Sequence, residues 1–518
     1  MVEYDPQEEE VIRKLDIQII PLLILISIWI TTDRSLQLHV VESQVRFPAD
    51  SISHPIGCLV VYSLGSLLFT FPSTLCYRFS ATIKYIGIQL LLILGLLLMV
   101  SGVLNIVTIM MSNQIGVIIS KFLLGVVQSG LFPFILLYLS AFFTREEYAT
   151  RLCYIFSFGL ALAQPFVELL SKHILKADNT SDYTGIQWVY FIEGVGSFIV
   201  CAVVLIYLPN SPDTCWFLNT ADKVLAVARG QDGYDAEIPI ASTNTNGNSK
   251  KTEVFTFRYI HFLDGIKDFR IWLISFTYLV VSTGLDYIAL VMPDISANIA
   301  LQCNGNCSPA ETNLYHVPLV VFFVAALPYA IGMVISYLIS THSDKTGERA
   351  LHIACALVIS TFGLFMLGLI DNVSFHTNIV RYIIGVLPAV IGLMSAIPSL
   401  LAYGMDRAVG DTHKVTLASV IVCLGQSFGL TLATASFSAQ SFFGSCLSLS
   451  MFLIFGIGAV LAIRHLNHAE EQDMWGKGPG LRRLMNDADE AKAWDGDIEM
   501  DDFEFQKTNR VKEADEWE

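Results

Sequence analysis

Long apolar blocks separated by short polar connections set the rhythm of this chain. The stretches 89–100 (QLLLILGLLLMV) and 318–335 contain no charged residue at all. A helix needs roughly 20 such residues to cross the ~30 Å hydrocarbon core of a bilayer. Backbone groups there must find partners inside their own segment, because no water is available. The blocks are too long and too uniformly apolar for barrel strands. The pattern predicts an all-α polytopic membrane protein with twelve transmembrane helices, at 17–38, 57–76, 85–103, 115–139, 152–170 and 187–208, then 271–292, 318–339, 350–370, 382–403, 415–435 and 446–463. Acidic residues precede the first block, which runs on without a small-residue cleavage site and so is not expected to be a removed leader.

Composition agrees: 53% of residues are hydrophobic and 15% charged, outside the balance of a soluble domain. Basic residues fix the expected orientation. With both termini inside, the outer loops hold only Arg46, Lys172 and Lys176. Arg34, Lys121 and Arg381 fall within or at the edge of spans, which leaves 25 of the 31 basic residues facing the cytoplasm. Three glycosylation sequons, at Asn179, Asn306 and Asn372, all land on outer loops in this orientation. The net charge of −16 says little about substrate. From Glu470 onward there are 16 acidic and 7 basic residues, the composition of a solvated tail. Most of the ten cysteines sit inside spans as small apolar residues. Cys303 and Cys307 lie close together on an outer loop, where a disulfide is one expectation. Two thiols fall short of a four-ligand zinc site, so no metal is expected.

A polar stretch, 209–270, divides six spans from six. The expected layout is a cytoplasmic N-terminus (1–16), a first six-helix bundle (17–208), a linker (209–270), a second bundle (271–463) and an acidic tail (464–518). The linker's middle, STNTNGNSKK, is of low complexity; 213–229 and 255–268 read as short amphipathic helices. Two pseudo-repeated bundles joined in this way are the plan of secondary transporters that rock around a site near the midplane. There is no phosphate-binding G-x-x-x-x-G-K-[ST] loop, no H-E-x-x-H and no G-x-S-x-G. An ATP-driven pump or an intramembrane enzyme is therefore not expected, and no cofactor or nucleic acid is implied.

Several stretches resemble the major facilitator superfamily, specifically its fungal anion:cation symporter branch that includes allantoate permease. They are KLDIQIIPLL and DRSLQ in the first span, and 121–151 (KFLLGVVQSGLFPFILLYLSAFFTREEYATR). WVYFIEGVGSF, LPNSPDTCWFL, LDGIKDFRIW and the turn SDKTGER at 343–349 complete the set. The resemblance covers nearly the whole span region and implies the major facilitator fold, in two six-helix pseudo-repeated bundles. It also implies alternating-access uptake of a small organic anion (a carboxylate, vitamin-like or amino-acid-derived) with protons, across a fungal plasma membrane, by a monomer. The pattern departs in three places. Lys121 stands where the family has Arg, Gln128 where it has a carboxylate, and CYRFSATIKY has lost most of the signature turn. This chain reads as a divergent member whose coupling differs from that of its relatives.

Charges inside a bilayer are costly, at roughly 2.5–3.5 kcal/mol or more at mid-depth, and mark functional positions. Arg34 matches the family's anion-binding position, about 17 residues or roughly 25 Å from the cytoplasmic end of its span. Lys121, Glu168 and Asp286 fall at similar depth. The expected substrate contacts are Arg34, Lys121, Gln128, Gln164, Tyr278, Asp286 and Gln426. Helical spacing puts Lys121, Gly125 and Gln128 on one face, Gln164 and Glu168 on another, and Tyr278, Ser282 and Asp286 on a third. Proton coupling is expected at Glu168, Asp33 or Asp286, since Gln128 cannot titrate. Asp33 and Arg34 point about 100° apart and should serve different partners. Against these roles stand structural ones: Lys121 paired to Glu168, Arg381 as a snorkelling anchor, and Glu193 as a helix contact. Asp344 and Arg349 are expected to gate the cytoplasmic mouth, the carboxylate capping a facing helix N-terminus. Two rivals remain open. One is a non-transporting nutrient sensor, favoured by an occluded cavity or carboxylates locked in ion pairs; the other is an uncoupled facilitator.

Overall fold

The computed structural model describes residues 6–46, 55–82, 90–111, 113–174, 185–234, 266–303, 317–370, 375–406, 410–437 and 441–475. Asn179, Asn306, Asn372, Cys307 and most of 255–268 lie outside them, as does the side chain of Cys303.

Among the described residues, twelve helices are long and apolar enough to cross a membrane, each over a block picked out by hydropathy. Spans one to six are Pro6–Leu38, Gly57–Thr74, Leu91–Ile109, Ile115–Phe142, Arg145–Leu170 and Gln187–Tyr207. Spans seven to twelve are Phe269–Ile299, Val321–Thr346, Arg349–Leu369, Asn378–Asp406, Lys414–Phe437 and Phe442–His468. Large apolar side chains such as Leu96, Phe323 and Phe455 are exposed along them, as lipid-facing positions must be. The fold class read from the sequence is the one observed. Residues Met1–Val460 pack as one compact unit. A second unit, Leu461–Glu518, is described as far as Trp475 and is helical there. Helix thus replaces an irregular tail over 464–475.

Inside the first unit, span three packs on span six and span two on span four; span ten lies against spans eight and nine. Span seven is enclosed along nearly its whole length. Hydroxyls join spans two and eleven from one end to the other. Ser63 meets Thr431 at 2.8 Å, Ser66 meets Ser427 at 2.8 Å and Thr74 meets Ser419 at 2.6 Å. Spans five and eight meet at Ser157 and Ser336, 2.8 Å apart. Hydroxyl pairs of this kind hold helices together where lipid supplies no hydrophobic drive.

The helices are interrupted where hydropathy gave no warning. Span four breaks between Gln128 and Leu131. Spans five, ten and eleven each contain one π-helical stretch, at Cys153–Ser157, Arg381–Val386 and Cys423–Phe428. In the linker the expected helix at 213–229 is instead a 3₁₀ turn, Pro212–Thr214, followed by a helix at Thr220–Tyr234. That helix is tied to the start of span one. Arg229 bonds Glu8 at 2.6 Å and Glu147 at 2.6 Å, and Lys14 bonds Asp222 at 2.8 Å.

Candidate functional site

Arg34 leaves span one and crosses to the other bundle. Its Nε donates to Asp286 Oδ1 of span seven at 3.1 Å, and Nη2 donates to Oδ2. Nη2 also donates to Ser282 Oγ at 3.3 Å. Nη1 donates to the Gln426 side-chain oxygen and, at 2.8 Å, to the Gln426 backbone carbonyl. The π turn explains that last bond: a wider turn leaves a carbonyl free of its usual helical partner, and the guanidinium takes it. Gln426 Nε2 in turn donates to the Tyr278 hydroxyl at 3.0 Å. Gly425 makes this possible, because a Cβ there would lie 2.0 Å from the Tyr278 ring.

The adjacent residue turns the other way, as a 100° step requires. Asp33 accepts from Gln128 Nε2 at 2.7 Å, Gln37 Nε2 at 3.2 Å and Asn105 Nδ2 at 3.4 Å. Gln128 is held by the Tyr62 hydroxyl, which donates to its Oε1 at 2.8 Å. Lys121 places its ammonium 4.3 Å from the centre of the Tyr190 ring, within electrostatic reach of Glu193 and Asp33.

The four charges expected at one depth therefore split into separate groups. Arg34 and Asp286 pair directly, whereas Lys121 belongs with Asp33, Tyr190 and Glu193. Lys121 is not the partner of Glu168. Glu168 accepts instead from Ser296 of span seven at 3.0 Å, and Gln164 donates to Ser35 at 2.7 Å. Arg381 is no snorkelling anchor either. It is buried, with its guanidinium 4.3 Å from the centre of the Phe442 ring. Gln37, Asn105, Tyr62 and Tyr190 went unnoticed in the sequence. Gln37 was findable, since it sits one helical turn from Asp33.

Between Arg34 and Asp33 lies a cavity of about 40 Å³, lined by Trp29, Asp33, Arg34, Tyr62, Gln128 and Gln426 among others. That volume holds a few water molecules at most and is well short of the ~300 Å³ at which small-molecule sites begin. The Arg34 fork is already filled by a carboxylate, that of Asp286. Planar bidentate pairing is what a guanidinium offers any carboxylate, so the same fork fits a carboxylate ligand once Asp286 is displaced.

The two bundles also meet near the ends of spans five and eight. Asp344 Oδ1 accepts from the Ala149 backbone N–H at 3.3 Å, and Oδ2 from Thr150 N–H at 2.8 Å and Thr150 Oγ1 at 2.6 Å. Arg349 pairs with Asp344 at 2.9 Å, binds Asp406, and donates to the Arg145 carbonyl at 2.6 Å. Gly347 adopts φ +70° in the turn between Asp344 and Arg349, a conformation that costs other L-residues about 1–2 kcal/mol.

A sequence model of the major facilitator superfamily matches residues 23–434, most of the chain. The chain belongs to the major facilitator superfamily. Its family and its long apolar helices make it a multi-pass membrane protein. Among its relatives is the "Major facilitator-type transporter hxnP" of Emericella nidulans, 26% identical over 375 residues, covering 70% of this chain and 66% of that one. A protein of Agrobacterium vitis provisionally named a tartrate transporter is 24% identical, covering 69% and 73%. The high-affinity nicotinic acid transporter of Saccharomyces cerevisiae is 24% identical, covering 62% and 55%. The chain spans about half to two thirds of the length of the two fungal relatives named here. In fold, the chain is similar to the proton:xylose symporter XylE, with a TM-score of 0.54 at 13% identity, covering 86% of this chain and 94% of XylE.

Proposed function

We propose that this protein is a secondary active transporter of a small organic anion, a carboxylate, moved by alternating access together with protons. The observation that carries this reading is the Arg34 fork. A guanidinium at the seam between the bundles holds a carboxylate in bidentate fashion beside a buried cavity. A substrate carboxylate takes the place of Asp286 on Arg34, with Tyr278 and Gln426 as further contacts. Relatives named for nicotinic acid and tartrate, both carboxylates, agree with that class. Of the three carboxylates expected to couple protons, Asp286 acts as the internal anion that substrate displaces, and Asp33 belongs to the cluster with Lys121, Tyr190 and Glu193. Glu168 faces Ser296 and is the weakest of the three candidates.

The proposed setting is a fungal plasma membrane, termini inside, with the Asp344–Arg349 clasp closing the cytoplasmic mouth. Labelled nicotinate and tartrate uptake in cells, with and without a proton gradient, tests the reading. Saturable uptake that rises with the gradient and is lost in Arg34→Ala is expected. Uptake unaffected by Arg34→Ala overturns the anion site. One observation favours a second reading, a non-transporting sensor on the same fold: the cavity is contracted and Asp286 is locked to Arg34. A sensor gives carboxylate-dependent thermal stabilisation of the purified protein and no uptake.

A further inference from the structure

Glu193 on span six is fully buried, and neither of its carboxylate oxygens has a hydrogen-bond partner. Every element around it has been given a part except this group. Span one presents Asp33, span two presents Tyr62, and span four presents Lys121, itself near Cys58 of span two. Tyr190 lies one turn away on span six itself. Span three, packed along span six, carries no titratable residue over Leu90–Ile109, and its Asn105 donates to Asp33. Span five also touches span six, but its Glu168 bonds Ser296 of span seven.

The hydrogen bonds divide the two carboxylates. Asp33 receives three amide donors, from Gln128, Gln37 and Asn105, and its negative charge is thereby solvated inside the protein. Glu193 receives none. On the residues that donate to Asp33, Asn105 Oδ1 and Gln37 Oε1 are also buried acceptors without donors. Lys121 Nζ is buried here as well and makes no hydrogen bond to Glu193, so these groups hold more unpaired acceptors than donors. A proton is accommodated there, and an ionised carboxylate without a hydrogen-bond donor is costly. Gln128, where the symporter branch has a carboxylate, cannot supply that acid and serves as a donor to Asp33 instead.

Charge counting gives the proton a role. Arg34 and Lys121 balance Asp33 and Asp286, leaving Glu193 to set the sign of the seam. Ionised, it makes the group negative and opposes an incoming anion. Protonated, it leaves the group neutral and the anion is admitted. We propose that Glu193 is the proton-carrying residue of this transporter. Its carboxyl gains one proton from the side of uptake, which permits the anion to bind, and loses that proton to water on the opposite side after the anion leaves. The inference rests on the transport reading above and adds to it the identity of the coupling acid.

The test uses the full chain in proteoliposomes with labelled nicotinate and tartrate as probes. Two assays are run: counterflow at equal pH, which needs no net proton movement, and accumulation driven by an inward gradient of one pH unit. One coupled proton concentrates substrate about tenfold under that gradient. Wild type is expected to perform both. Glu193→Gln is expected to keep counterflow and lose the tenfold accumulation, while Glu193→Asp retains it. Accumulation by Glu193→Gln equal to wild type overturns the proposal. Wild type that exchanges but does not accumulate, or does neither, sinks the transport reading in its coupled form or for these probes, a different outcome from failure of the variant alone. A transport-independent readout accompanies the assays. The infrared band of a protonated carboxyl is expected in wild type and in Asp33→Asn, and absent from Glu193→Gln. A band that follows Asp33 instead overturns the assignment.

Discussion

Arg34 and Asp286 are joined fork to fork across the seam, Nε 3.1 Å from Oδ1, although 252 positions separate them in the chain. Both side chains are largely enclosed, at 15% and 12% exposure. Removing one partner of such a pair leaves an uncompensated buried charge, which costs about 3–5 kcal/mol, whereas removing both does not. Arg34→Ala and Asp286→Ala are each expected to lower the melting temperature in detergent, and the double variant to recover part of the loss. Strictly additive losses would show that the two residues act independently.

Asp286→Asn keeps the shape of the pair and removes the competing charge. If substrate must displace Asp286, this variant binds nicotinate or tartrate more tightly than wild type. A hydrogen bond to a charged group contributes about 1.5–3 kcal/mol, so the gain expected in Kd is roughly 10- to 150-fold. Calorimetry on the purified protein measures it. Unchanged or weaker binding would mean that Asp286 supports the ligand and does not compete with it.

Asp344 ties the two bundles together through the Ala149 and Thr150 amides, the Thr150 hydroxyl and Arg349. Those bonds exist only while this end is closed. Asp344→Ala is therefore expected to shift the population toward a state open there, by roughly 10-fold or more for the loss of one charge-assisted bond. Single cysteines placed in spans five and eight near Ser157 and Ser336 report the opening as faster maleimide labelling from the side bearing the linker. Labelling rates equal to those of the parent would remove the gating role.

Gly425 lets the Tyr278 ring approach span eleven, and a methyl group there meets ring carbons at 2.0 and 2.4 Å. Overpacking of this kind costs about 1–3 kcal/mol, and here it also displaces Gln426 from Arg34. Gly425→Ala is expected to weaken anion binding, and Tyr278→Ala in the same chain to relieve the stability loss without restoring binding. Restored binding in the double variant would mean that the Tyr278 hydroxyl has no part in placing Gln426.

The spans were legible because a bilayer imposes a length and an apolarity that any window reveals. Counting residues from a span's end gives each residue an expected height, but it gives no direction. Arg34, Lys121, Glu168 and Asp286 are expected at one height, yet which of them meet depends on the rotation of each helix and on neighbours hundreds of residues away. Arg34 reaches Gln426 across 392 positions, by way of a carbonyl exposed in a π turn that hydropathy cannot register. Glu193 reads as a helix contact from its place in the chain. Only the positions of the donors around Asp33 show that it was left without any.

Gln128 offers the sharpest test of where the proton is held. Its amide donates to Asp33 at 2.7 Å while its oxygen accepts from Tyr62 at 2.8 Å. Gln128→Glu keeps the second bond and replaces the first with a contact between two carboxylates. Two such groups in hydrogen-bond contact cannot both be ionised and share one proton, as the carboxylate pairs of acid proteases do. The variant thus builds a second proton site beside Asp33, at the position where the symporter branch carries its own. In the wild-type background, uptake is expected to become more steeply dependent on external acidity. In the Glu193→Gln background, Gln128→Glu is expected to restore gradient-driven accumulation toward the tenfold expected of one coupled proton per pH unit. Paired uptake measurements on the two single variants and the double variant decide the matter. A double variant as uncoupled as Glu193→Gln alone would show that an acid beside Asp33 is not sufficient, and that the proton must be held on span six.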